Sequence, residues 1–167
     1  MATKEKHSEA TPVLTNAHKA LSIFLGCWRA EGLSFGGTDQ SGADPKANGV
    51  PWVSTHTARW HTGDFFLIQD ERALVNGAIF DTLSVLGVET DNAKYFARTF
   101  ENHGFYRHYD LSVDHRTWVL KGKTERALTV FSADGQTQTI SWEWLQNGKW
   151  LPLCDRIASR VEKIMPN

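Results

Sequence analysis

The sequence predicts an all-β protein: an antiparallel up-and-down β-barrel of about ten strands, preceded by a short helix. Three observations carry this. After Gly26 the apolar pattern repeats every second residue, the period of strands. Pairs of turn-forming residues interrupt it at short, regular intervals. A meander of that many strands curls closed, because closure removes its exposed edges.

The elements follow in order. Residues 1–13 are polar at the start and are expected to be frayed, and 14–165 form a single domain. In "LTNAHKALSIFLG", Leu14, Ala17, Leu21, Phe24 and Leu25 fall on one helical face. Thr15 or Asn16 supplies the N-cap and Gly26 the stop. Strands are expected over 27–36, 51–62, 65–74, 81–90, 94–103, 105–114, 117–124, 126–133, 137–146 and 149–162. Gly63-Asp64, Asn76-Gly77, Asp91-Asn92, Asp134-Gly135 and Asn147-Gly148 mark turns between them. Only 37–50, rich in Gly, Asp, Ser and Asn, reads as a long loop.

Composition narrows the function. With 167 residues the chain suffices for one domain with a real core. A net charge of −1, with no block of like charge, argues against nucleic acid as a partner. The longest apolar run, "ALSIFLGCW", is too short for a membrane span and has no signal-peptide lead, so no membrane partner and a cytoplasmic location are expected. Cys27 and Cys154 are the only cysteines. They fall on the first and last strands, which closure makes neighbours, so a disulfide is conceivable; in a cytosolic setting two thiols are the better expectation. Seven Trp and nine Phe suit wide β-surfaces and a lined cavity.

A barrel of this size holds a small ligand. The stretch "FENHGFYRHYD" over 100–110 reads as a hairpin turning at Asn102-His103-Gly104. Each of its strands presents rings and ionisable groups, a combination suited to a pocket wall. Tyr106, Arg107 and His108 are the preferred lining residues there. Trp52, His56 and Trp60 share one strand face, and Trp142 shares another with Trp144. Arg156, if inward, requires an anionic partner, either Glu143 or a ligand carboxylate. The candidate binding set is therefore His56, Trp60, Tyr106, Arg107, His108, Trp142 and Arg156. The pattern leaves open which face of each strand turns inward. A catalytic alternative uses His108 as general base, oriented by Asp110 or Glu101; no nucleophile turn accompanies it. The histidines lack metal spacing: His56 and His61 are five apart and point to opposite sides of one strand. No metal and no cofactor is expected.

"FLGCWRAEG" after a short helix resembles the Gly-x-Trp strand that opens lipocalin-like (calycin) barrels. "LSVLGVETDNAKYFARTFENHGFYRHYDLS", "WVLKGKTERALTVFSADGQTQTISWEW" and "GKWLPLCDRIASRV" resemble the DUF1579 family, calycin-like proteins of unknown function. The resemblance spans roughly residues 20–162 and implies a calycin-like barrel without implying a reaction. Nitrobindin haem barrels and fatty-acid-binding proteins are more distant analogies. Nitrobindins place the haem-ligating His on a late strand, and the corresponding "LPLCDRIASRV" has no His. Fatty-acid-binding proteins hold a carboxylate with a late-strand basic residue, a place that Arg156 loosely occupies. These readings converge on a binding protein for a small, largely apolar molecule with an acidic or aromatic group. The alternatives are a small enzyme using His108 and haem binding in the nitrobindin manner. The protein itself is expected as a monomer or homodimer.

Overall fold

The computed structural model describes residues 11–162. The expected fraying of 1–13 falls mostly outside that range; Thr11, Pro12 and Val13 are exposed coil. A single-turn helix, α1 (Asn16–Ala20), runs into a 3-10 turn (Leu21–Phe24). Thr15 starts it: its backbone N–H donates to His18 Nδ1 at 3.1 Å.

Ten strands follow: β1 (Gly26–Ser34), β2 (Val50–Trp60), β3 (Phe66–Val75), β4 (Ala78–Val88), β5 (Tyr95–Glu101), β6 (Tyr106–Asp114), β7 (Thr117–Lys121), β8 (Glu125–Phe131), β9 (Thr137–Gln146) and β10 (Lys149–Val161). Each pairs antiparallel with its neighbours in the chain, and β1 pairs with β10 to close the barrel. The tight turns use left-handed backbone where the sequence allows it. Asn76-Gly77 has φ of 51° and 81°, and Asn147-Gly148 has 49° and 77°, the two-residue geometry that matches strand twist. Because Asn76-Gly77 closes its hairpin with Val75 opposite Ala78, β4 begins three residues earlier than the pattern predicts.

The helix closes one end. Leu21 and Phe24 enter the barrel and meet Trp28, Trp118 and Phe131, all buried. Phe24 packs edge-on against Trp118 and Phe131, with centroids 5.0 and 5.1 Å apart. Trp28 Nε1 donates to the Phe24 carbonyl at 2.9 Å, and the Arg160 guanidinium of β10 lies 4.3 Å above the indole. Packing therefore consumes this half of the lumen.

The other end carries the loop 35–49 and the turns after β3, β5, β7 and β9. The loop is tied to β9 and β10. Gln40 donates to the Pro152 carbonyl at 2.7 Å and accepts from Trp144 Nε1 at 2.8 Å. Leu153 is the extra residue of a β-bulge between Pro152 and Cys154. The bulge turns both Leu153 and Cys154 toward the lumen.

The possible disulfide is corrected by register. Cys27 sits opposite Val161, while Cys154 sits opposite Ser34, so the two lie at opposite ends of the β1–β10 ladder and both are free thiols. Seven residues of strand separate them, about 23 Å, far beyond disulfide reach.

Candidate functional site

The half of the lumen away from the helix holds a cavity of about 280 Å³ floored by Phe24. Its walls follow from strand register, since directly paired residues point to the same side. One run of partners, His56, Glu71, Thr82 and Glu101, crosses β2 to β5, and all four line the cavity. A second run is Thr129, Ile140, Arg156, Gly32 and Trp52. Gly32 in its middle has no side chain, and the Arg156 guanidinium and the Trp52 ring meet there at 4.4 Å.

Two charged clusters stand on opposite walls. In the first, Arg156 Nη1 lies 2.7 Å from Glu71 Oε1, and the Ser54 hydroxyl donates to the same oxygen at 2.7 Å. Burial alone would raise the Glu71 carboxyl, but the nearby Arg156 and His56 and the Ser54 hydrogen bond hold it below the usual carboxylate value. Burial would likewise lower Arg156; Glu71 outweighs it and keeps the guanidinium charged. His56 stacks on Trp28 at 6.0 Å. Burial lowers its pKa from 6.5 to about 4, with Glu71 opposing and Arg156 adding to the shift, so its ring is neutral at pH 7.

In the second cluster, Arg107 pairs with Glu101 through Nη1 and with Glu125 through Nε at 3.1 Å. The Tyr109 hydroxyl donates to Glu125 Oε2 at 2.7 Å. Burial and the Glu125 charge push the phenol well above its ordinary pKa, so it remains a donor. Among the described residues, four buried nitrogens on the cavity lining have no hydrogen-bond partner: Trp52 Nε1, His56 Nδ1, Gln138 Nε2 and Arg156 Nε.

Of the seven residues read from sequence, the structure brings His56, Arg107, Trp142 and Arg156 together around the cavity. Arg156 does take an anionic partner, but that partner is Glu71 rather than Glu143, which pairs with Arg126. Trp60 has the inward phase but sits at the far end of β2, beside α1, in a shallow groove with Leu14, His18, Lys19, Ser22 and Asp64. Tyr106 and His108 lie on the outer face of β6, both exposed, with their rings 4.5 Å apart. The alternation is opposite to that expectation: Arg107 and Tyr109 face in, and Tyr106, His108 and Asp110 face out. His108 therefore cannot use Glu101, which points into the lumen, and has no access to the cavity.

Sequence reasoning missed Glu71, Ser54, Tyr109, Glu125 and Gln138. The signal for Glu71 was its pairing with His56, which becomes visible once the Gly63-Asp64 turn, closed by the His61 N–H on the Phe66 carbonyl, sets the β2–β3 register.

A haem fits poorly. The late strand that would supply an axial imidazole turns Cys154 and Arg156 inward, and burial raises the Cys154 thiol, which keeps it protonated. Among the described residues the cavity's one histidine, His56, is held against Trp28 and the Glu71–Arg156 pair. Among the described residues no group of three His, Cys, Asp or Glu side chains is placed to hold a metal ion. Nor, among those residues, is any helix long and apolar enough to cross a membrane.

The chain matches no protein-family model and no curated protein. Among solved structures it is similar to Rv2717c from M. tuberculosis, with a TM-score of 0.63 and 15% identity, over 90% of this chain and 100% of that one. At that identity the likeness establishes a shared fold, and the chain is a closed ten-stranded antiparallel β-barrel with one short N-terminal helix.

Proposed function

We propose that the protein binds a small, largely apolar molecule in this cavity, as a calycin-like barrel of the DUF1579 kind. The observation that carries the reading is the cavity itself. At about 280 Å³ it is the size of a single-ring ligand with a short tail, and rings and aliphatic groups share its walls with a few fixed polar groups. A barrel with no occupant gains by filling such space with side chains, as its helix end does. Phe24, Phe80, Trp142 and Ile140 supply apolar contact; the two charged clusters supply orientation.

Native mass spectrometry of the purified protein, beside its denatured mass, tests the reading. An excess mass lost on denaturation is the expected result, and its value identifies the occupant. A bare native mass, together with no rise in melting temperature across a panel of single-ring fragments, would overturn it.

A further inference from the structure

Among the described residues the ionisable side chains around the cavity are Glu71, Glu101, Glu125, Arg107, Arg156 and His56, with the Tyr109 phenol and the Cys154 thiol both held in their neutral forms. Glu71 and Arg156 cancel across a 2.7 Å contact. His56 is neutral near pH 7. On the opposite wall one guanidinium, Arg107, serves two carboxylates, Glu101 and Glu125. Among the described residues this wall therefore carries one negative charge more than the lumen neutralises. His103 approaches Glu101 Oε2 at 3.6 Å, but it is half exposed at the rim and outside the lining.

A carboxylate held out of bulk water is costly without a counter-charge. Both guanidinia are paired with carboxylates; Arg156 Nε and Trp52 Nε1 remain unpartnered donors, but the lumen offers a carboxylate ligand no spare positive charge and a net repulsion. A cation instead meets Glu125 and Glu101 beside the rings of Tyr109 and Trp142, which line the cavity and pack edge to face with centroids 5.5 Å apart. Carboxylates beside aromatic rings are the combination that recognises ammonium groups. A second observation marks the cavity as a receiving site. His56 and Gln138, 4% and 3% exposed and lining the same space, each carry a buried nitrogen without a partner. Gln138 Nε2 only donates, so its missing partner is a water or an acceptor group of the ligand rather than an ammonium.

We propose that the ligand is a small apolar amine, its protonated nitrogen set against Glu125 and Glu101 and its hydrocarbon body against Trp142, Ile140 and Phe24. This rests on the ligand-binding reading above and replaces the acidic head group that the sequence suggests with a basic one.

Three probes with similar single-ring bodies and different charge test it: 2-phenylethylamine, 2-phenylethanol and 3-phenylpropionate. Each is titrated at neutral pH by calorimetry, with tryptophan fluorescence reporting through Trp52 and Trp142. The amine is expected to bind about tenfold tighter than the alcohol, and the propionate weakest. Glu125→Gln keeps an acceptor for the Tyr109 hydroxyl; it should bring the amine down to the alcohol's affinity and leave the alcohol unchanged. Glu101→Gln makes the same comparison should the first variant melt early. Binding of the propionate as tight as the amine, or amine binding that neither variant weakens, would overturn the proposal. Alcohol or propionate binding without the amine would do so while leaving the ligand-binding reading intact. No binding by any of the three, with a bare native mass, would remove both.

Discussion

Arg156 Nη1 and Glu71 Oε1, 2.7 Å apart, join β10 to β3 over the inward faces of β1 and β2. The small side chains beneath, Ala30 and Ser54, and the bare backbone of Gly32 leave the room for this bridge. Buried pairs of this kind gain little over a well-packed apolar pair, but losing one partner strands the other's charge. Glu71→Gln is therefore expected to lower unfolding free energy by about 3–5 kcal/mol, seen as a lower urea midpoint. The double replacement Glu71→Leu with Arg156→Met should recover most of that loss. A single variant as stable as the parent would mean the pair is not desolvated.

His56 makes stability depend on pH with a definite sign. Its folded pKa, about 4, lies below the unfolded 6.5, so the unfolded chain binds the proton first. Stability should fall as pH drops from 6.5 toward 4, by roughly 3 kcal/mol at most. Glu71, also depressed, adds a further loss below its unfolded value of 4.5. Urea unfolding at pH 7, 6, 5 and 4 measures the slope. His56→Phe, which keeps a ring for Trp28 to stack on, should flatten it above pH 4.5; an unchanged slope would assign the proton uptake elsewhere.

The fold was legible because turn chemistry is local. Asn76-Gly77 and Asn147-Gly148 need no tertiary context to mark a hairpin, and their strands fall where the two-residue period places them. The site was less legible because the lumen breaks the apolar-in rule that sets strand phase. Glu71, Ser84, Thr99 and Arg107 point inward, while Ile79, Leu83, Phe100 and Tyr106 face solvent. On β6 the rule does select the true inward face, Tyr109, Leu111 and Val113 with Arg107; the preference for Tyr106 and His108 follows instead from seeking rings beside polar tips. His56 and Trp142 were found because they carry ring and polar atoms together, which suits a mixed wall under either phase. Glu71, Glu101 and Glu125 become meaningful only when register places them around Arg156 and Arg107.

Gly32 is fixed by the seam of the barrel. A Cβ built on it would lie 1.9 Å from the Asp155 carbonyl oxygen and 2.7 Å from Arg156 Cα, both backbone atoms of β10. Neither can move without parting β1 from β10. Gly32→Ala should cost about 1–3 kcal/mol and speed amide exchange along the β1–β10 ladder in particular. Parent-like exchange there would show that the seam relaxes freely.

Arg107 and His108, adjacent in sequence, are predicted to behave as strangers. His108 is exposed on the outer wall, and replacing it with Ala should change stability by no more than about 0.5 kcal/mol. It should leave the affinity of any cavity ligand, and any turnover the protein proves to have, at the parent level. Arg107 holds Glu101 and Glu125 together, so Arg107→Met leaves two carboxylates facing each other in a half-buried wall. Loss of the cation that bridges them should lower the unfolding free energy by about 1–3 kcal/mol. The urea midpoint reads this directly. Parent-like stability in Arg107→Met, or a loss of ligand affinity in His108→Ala, would reverse the assignment of the two faces of β6.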